Sequence, residues 1–203
     1  MADTVEPARS RTIFYTATSL DGFLADSDNS LDWLFQVPAE TPHEDSFAVW
    51  FQGIGAMAMG ATTYEWVLEH ESVLEHPEKW TQWYAERPAW VFTHRELPPV
   101  PGATVHFVQG DVAAVHADMV AAAGGKQVWL VGGGELVGQF VDHGLLDEIL
   151  LSVAPVTLGS GAPLLPRRLL ASDLRLTKVK QDGQFASLTY ELTRPAEAGA
   201  ADR

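Results

Sequence analysis

The segment that most restricts what this chain can fold into is Gln127–Leu136, QVWLVGGGEL. An apolar, β-branched run of strand length meets three successive glycines. A helical stripe of Leu136, Val137, Phe140 and Val141 follows at once and is ended by Gly144. Without a Cβ, such a turn can take positive φ and let another group come close to the backbone. The helix that opens there presents free N–H groups and the positive end of its dipole, both favourable to a phosphate. This is not the Rossmann fingerprint. With Gly132 and Gly134 as its first two glycines, the third would fall on Val137.

Further strand-like runs occur at 12–18, 54–59, 89–93, 104–108 and 148–154, several of them continuous rather than alternating. Continuous apolar strands are expected in a parallel sheet covered on both faces. Thr62 and Glu65 form a capping-box pattern that predicts a helix to about His70. Asp111 is a candidate cap for a helix whose Val112, Val115 and Met119 share a face and which stops at Gly124. Near the end, runs at 174–180 and 184–192 flank Asp182-Gly183, a hairpin signal. The expected fold is therefore α/β: a mostly parallel central sheet, helices on both faces, and a C-terminal antiparallel hairpin. One domain is expected over 12–193, with tails at 1–11 and 194–203. The segment 26–45 reads as a long loop of functional type.

Charge and composition remove several classes of function. The formal net charge is −14, which disfavours nucleic acid and anionic membrane as partners. No run is long and apolar enough for a membrane helix, and the start of the chain has no apolar export signal. A cytoplasmic location is expected. There are no cysteines, and the seven histidines show no paired metal-ligand spacing, so no metal site is expected. The charge is uneven: ten of the thirteen basic residues lie from Arg87 onward, so an anionic ligand should find its countercharges in the second half.

Four stretches together resemble a known group: TATSLDGFLA, AMAMGATTYEWV, VWLVGGGELVGQF and LLDEILLSVAPVTLGSGAPLLP. In this order, across Ile13 to Pro166, they resemble the dihydrofolate-reductase-like superfamily. The likeness is closest to the reductase domain of bacterial riboflavin-biosynthesis deaminase-reductases and its stand-alone relatives. The resemblance implies NADPH as cofactor. Main-chain groups at Ala17 and Leu24 would hold the nicotinamide carboxamide. Gly60, Thr62 and Thr63 would meet the phosphates. Thr93, His94 and Arg95 would meet the adenosine 2′-phosphate. Gly132, Gly133 and Gly134, with Glu135 and Leu136 opening the helix, would lie against the pyrophosphate and nicotinamide; in folate reductases two of these glycines are joined by a cis peptide. Ser152 would lie behind the substrate, Arg87 would bind a substrate carboxylate or phosphate, and Trp33 would cover the ring or anchor its loop. Glu44 or Asp45 would support protonation, with Asp21 as a further candidate. Where the group usually has Gly-Arg, this chain has Gly60-Ala61, so one phosphate-binding arginine is missing.

The resemblance implies an NADPH-dependent reductase that passes hydride to a small heterocyclic or ribose-derived imine or carbonyl compound, working as a homodimer. Dihydrofolate reduction is a second enzymatic reading. A non-catalytic nucleotide- or small-molecule-binding protein on the same fold is a third.

Overall fold

A computed structural model describes residues 10–38 and 46–193. In chain order its elements are β1 (Thr12–Thr18), β2 (Phe23–Ala25), α1 (Asp32–Phe35), α2 (Ser46–Gln52), β3 (Ile54–Gly60), α3 (Ala61–His70), α4 (Glu78–Tyr84) and β4 (Ala89–Phe92). There follow β5 (Val105–Val108), α5 (Val112–Ala122), β6 (Gln127–Gly132), α6 (Gly134–Asp142), β7 (Glu148–Val153), β8 (Ala162–Pro163), β9 (Leu174–Asp182) and β10 (Phe185–Leu192). Eight strands form one sheet in the order β5-β4-β3-β6-β1-β7-β10-β9. The pairings from β5 to β7 are parallel; β10 then runs antiparallel to both β7 and β9. This is the expected sheet.

Two apolar layers cover it. Phe14, Ala58, Leu130 and Ile149 point to one face and pack with Val112, Met119, Leu136 and Phe140 of α5 and α6. Met57, Met59, Val91 and Trp129 point to the other and pack with Tyr64, Val67 and Trp80 of α3 and α4. Small residues in β3 let α5 come close. At Gly55 a Cβ would stand 2.2 Å from the Ala123 carbonyl oxygen, and the β3–β6 register slips at that point.

Several local expectations hold and several change. The Asp111 side chain accepts a hydrogen bond from the Ala113 N–H at 2.8 Å and caps α5. The capping box does not form: α3 starts directly from β3, with Gly60 as its N-cap and no side-chain cap, and Glu65 pairs with Arg95 instead. The hairpin turn sits one residue later than expected, at Gly183-Gln184, because Asp182 still pairs with Phe185. The expected loop at 26–45 contains the single helical turn α1, and its residues 39–45 lie outside the described residues. So do the predicted tails, except that Ser10 and Arg11 are docked: Ser10 is buried and the Arg11 carbonyl accepts the Val128 N–H.

Candidate functional site

Parallel strands β1, β3 and β6 are neighbours, so their C-terminal ends open on the same edge of the sheet. Ligands of open α/β sheets bind at that edge. A cleft of about 560 Å³ lies there. Its floor is the end of β1 at Thr16 and Ala17. One wall is Gly60–Thr63, where β3 turns into α3; the other is Gly132–Leu136, where β6 turns into α6. Leu24, Trp33 and Leu34 close it from the segment after β1. The cleft thus brings together Ala17, Leu24, Trp33, Gly60, Thr62, Thr63, Gly132, Gly133, Gly134, Glu135 and Leu136.

The glycines differ in what they do. A Cβ on Gly134 would meet the Pro163 oxygen at 2.3 Å, so that glycine is required by packing. A Cβ on Gly133 would meet nothing within 4 Å. The protein's own packing therefore leaves open space at Gly133. The Gly132–Gly133 peptide is cis. Trp33 is 6% exposed, which makes it both the anchor of its segment and a wall of the cleft; its indole nitrogen has no hydrogen-bond partner among the described residues.

Among the described residues no lysine or arginine lines this cleft, and Glu135 is its only charged one. An anion there must rely on the unpaired amides of the first turns of α3 and α6. A carboxylate in the first turn of α6 would oppose it, but Arg167 holds Glu135 with two hydrogen bonds of 2.7 and 3.0 Å. The same guanidinium binds Asp142 at 2.8 Å. Glu135 is held below the usual carboxylate range by Arg167, and Arg167 is raised in turn, chiefly by Glu135. Gly138 makes room for this seat: a Cβ there would be 2.6 Å from the guanidinium carbon. Arg167 went unread in the sequence. Its signal is the helical face Glu135, Gly138, Asp142, two acids flanking a gap.

A second, smaller cavity of about 190 Å³ lies beside Ala17 on the α2 face of the sheet. Tyr15, Trp50 and Ser152 form its near end. Burial pushes the Tyr15 phenol up, while the neighbouring Ser152 hydroxyl pulls it back. Ser152 lines this smaller cavity rather than the cleft.

Other expected site residues are not brought to the cleft. Arg95 pairs with Glu65 at 2.7 Å and lines a separate depression with Thr93. The Thr93 hydroxyl is spent on that turn, donating to the Arg95 carbonyl and accepting its N–H; His94 between them is exposed. Asp21 pins a loop: it accepts the Ser19 hydroxyl at 2.6 Å and the Leu158 and Gly159 N–H groups at 3.1 and 2.7 Å. Arg87 lies at the opposite edge of the sheet. It donates to the carbonyls of Ile54, Phe51 and Tyr84 and lies over the Phe51 ring, so its donors hold the chain together rather than face the cleft. Glu44 and Asp45 lie outside the described residues. Among the described residues, no cluster of three or more His, Asp or Glu is arranged to hold a metal ion, and no helix is long and apolar enough to cross a membrane.

The strand order and the edge cleft define a dihydrofolate-reductase-like domain. Residues 11–187 match the family described as the RibD C-terminal domain, and the chain belongs to that family. It is 32% identical over 180 residues to the uncharacterized Bacillus subtilis protein YwjB, covering 89% of this chain and 97% of that protein. A solved Shewanella sp. PV-4 protein, provisionally named for riboflavin biosynthesis, superposes with a TM-score of 0.73 at 26% identity, covering 91% of this chain and 99% of that one. The dihydrofolate reductase of Enterococcus faecalis, solved with NADP(H), shares the fold at a TM-score of 0.58 and 13% identity, covering 92% and 98% of the two chains.

Proposed function

We propose that the protein is a cytoplasmic NADPH-dependent reductase of a small heterocyclic or ribose-derived imine or carbonyl compound. The observation that carries this reading is the pair of glycine turns, Gly60 and Gly132–Gly134, facing each other across the cleft with space left open at Gly133. That space is a cradle that a Cβ would fill, and it fits a dinucleotide approaching the backbone. The family membership and the NADP(H)-bound fold relative support the same reading.

In it, the first-turn amides of α3 and α6 hold the pyrophosphate, and Arg167 keeps Glu135 from repelling it. Main-chain groups of Ala17 and Leu24 orient the carboxamide. Trp33 and Leu34 exclude water. The bound nicotinamide supplies hydride, and the protein supplies orientation. The substrate lies against Tyr15 and Ser152, and Glu44 or Asp45, just before α2 in sequence, supports protonation. Arg95, with His94 beside it on the turn that the Thr93 hydroxyl holds, reads the 2′-phosphate. A homodimer belongs to the same proposal. The dihydrofolate reading is weaker, because Arg87 is committed to main-chain carbonyls at the other edge of the sheet.

Calorimetric titration with NADPH and NADH tests the cofactor. Both bind, NADPH more tightly, and Gly133→Val weakens both by about tenfold or more, because a branched side chain there enters the space left open in the cleft. Absence of binding by either dinucleotide overturns the reading. With an active substrate in hand, Glu44→Gln or Asp45→Asn lowers turnover roughly 10²–10⁴-fold, the usual worth of general acid–base help. Near-normal turnover in both variants removes these carboxylates from the mechanism.

A further inference from the structure

The segment 162–167 runs along α6 and joins separate parts of the cleft. It starts in β8, which among the described residues forms a ladder with β2 alone. There Phe23 pairs with Pro163 and Ala25 with Ala162, so Leu24 is the bulged residue between them. A bulge re-aims the residue it carries. Leu24 lines the cleft, as do Ala162, Pro163 and Pro166. The Leu164 N–H donates to the Gly22 carbonyl at 2.9 Å, a second tie to the turn before β2. On its other side the segment presses on the first turn of α6: a Cβ on Gly134 would stand 2.6 Å from the Leu164 oxygen. The segment is thus a strap between β2 and α6, and where β8 moves the Leu24 end of the cleft moves with it.

Arg167 ends the strap and grips α6 at both ends. Its Nη1 and Nη2 donate to Glu135, in the first turn, at 3.0 and 2.7 Å. Its Nε donates to Asp142, the last residue of the helix, at 2.8 Å. Nη1 also donates to the Pro166 carbonyl of its own strap at 2.9 Å. Neutralising Glu135 would take one carboxylate and one guanidinium. The second carboxylate leaves the seat negative, which does nothing for an anion at the start of the helix. Asp142 lies about 10 Å of helix rise from Glu135 and does not line the cleft. What it adds is direction: a planar guanidinium forked between two carboxylates is fixed in orientation as well as in place. The arrangement has the form of a clamp.

We propose that Arg167 is a positioning residue for the nicotinamide end of the cleft: clamped between Glu135 and Asp142, it fixes the strap on α6 and, through the β8–β2 ladder, the place of Leu24. This rests on the reductase reading and adds a residue that does not line the cleft but on which cofactor orientation depends. Charge and position then predict opposite signs at one residue. Asp142→Ala removes a negative charge, so by charge alone every anionic ligand of the cleft binds as tightly as before or more tightly. By position, the strap loosens, and a ligand held at Leu24 binds more weakly.

The test is calorimetric titration of the full-length protein with NADPH and with 2′-phospho-ADP-ribose, the same molecule without its nicotinamide, beside amide exchange of the ligand-free protein. Asp142→Ala weakens NADPH about threefold to fivefold, the scale of one exposed ion pair, and leaves 2′-phospho-ADP-ribose at or above its parental affinity. Arg167→Gln weakens NADPH about tenfold, as expected for losing both charge-assisted grips. Adding Glu135→Gln to it restores 2′-phospho-ADP-ribose but not NADPH. In Asp142→Ala and Arg167→Gln the Leu164 amide exchanges faster, while Leu158 and Gly159, held by Asp21, keep their protection. Arg168→Gln, at the exposed arginine one residue on, changes neither readout. Three outcomes overturn the proposal with the reductase reading intact: Asp142→Ala that binds NADPH as tightly as the parent, equal losses of the two ligands, or Leu164 exchange that stays parental in both single variants. A parent protein that binds neither ligand overturns the reductase reading, and this proposal with it.

Discussion

Strands β3 and β9 lie in one sheet and are built in opposite ways. In β3 every residue from Ala56 to Met59 is fully buried, between β4 and β6 and under helices on both faces. In β9, at the sheet edge, Leu176 is 49% and Val179 is 64% exposed. Covered strands must end in turns that fit tightly under helices. There, in the proposed reading, the protein would meet a ligand with glycines and main-chain amides, which carry little chemical identity. Among the described residues the outer strand of the hairpin is left open, and it presents hydroxyls and ammonium groups to solvent. A shared cofactor belongs with the first arrangement.

The largest test of that contrast is stability. Met57→Ala removes a fully buried side chain between two layers and costs about 2–5 kcal/mol in denaturant unfolding, whereas Val179→Ala stays within about 0.5 kcal/mol. Comparable losses would mean that the hairpin is covered in solution, and the contrast would fail.

A smaller effect sharpens the cofactor side. Arg95 is shared with Glu65 across an exposed ion pair, so a 2′-phosphate must compete for it. Arg95→Ala removes about 1.5–3 kcal/mol from NADPH binding and leaves NADH unchanged. Glu65→Gln strengthens NADPH binding by at most about fivefold, because an exposed pair is worth about 1 kcal/mol or less. Titration of both dinucleotides decides it. An Arg95→Ala loss shared equally by NADH would show that the 2′-phosphate is not read at this turn.

What was legible in the sequence follows the same division. Continuous apolar strands, the Gly132–Gly134 turn and the Asp111 cap are local signals, and each was read within a residue or so. The strap at 162–167 depends on the pairing of β8 with β2, which is distant in sequence, and no local pattern carries that. The resemblance implies Arg87 as a ligand contact from its place just before a strand. Its position at the N-terminal edge of a parallel sheet, with carbonyls of β3 and α2 in reach, emerges only from strand direction. Arg167 was missed because its partners lie 25 and 32 residues away.

The smallest expected effect concerns Asp21, which joins the turn after β1 to the loop after β7. Its carboxyl lies below the ordinary value of 3.8, chiefly because the Ser19 hydroxyl and then the Gly159 N–H bind the charged form. A depressed carboxyl contributes fully above its unfolded value and loses that contribution as pH falls through the lower folded one. The group is exposed, so global stability hardly changes and the effect is local. Amide exchange at Leu158 and Gly159 is therefore slow at neutral pH and accelerates as the pH drops below 3.8, after correction for intrinsic rates. Asp21→Ala shows the same acceleration already at neutral pH, while amides of β3 keep their protection. If protection at Leu158 and Gly159 survives both the acid and the substitution, the loop is held by other contacts and Asp21 is free for a role at the site.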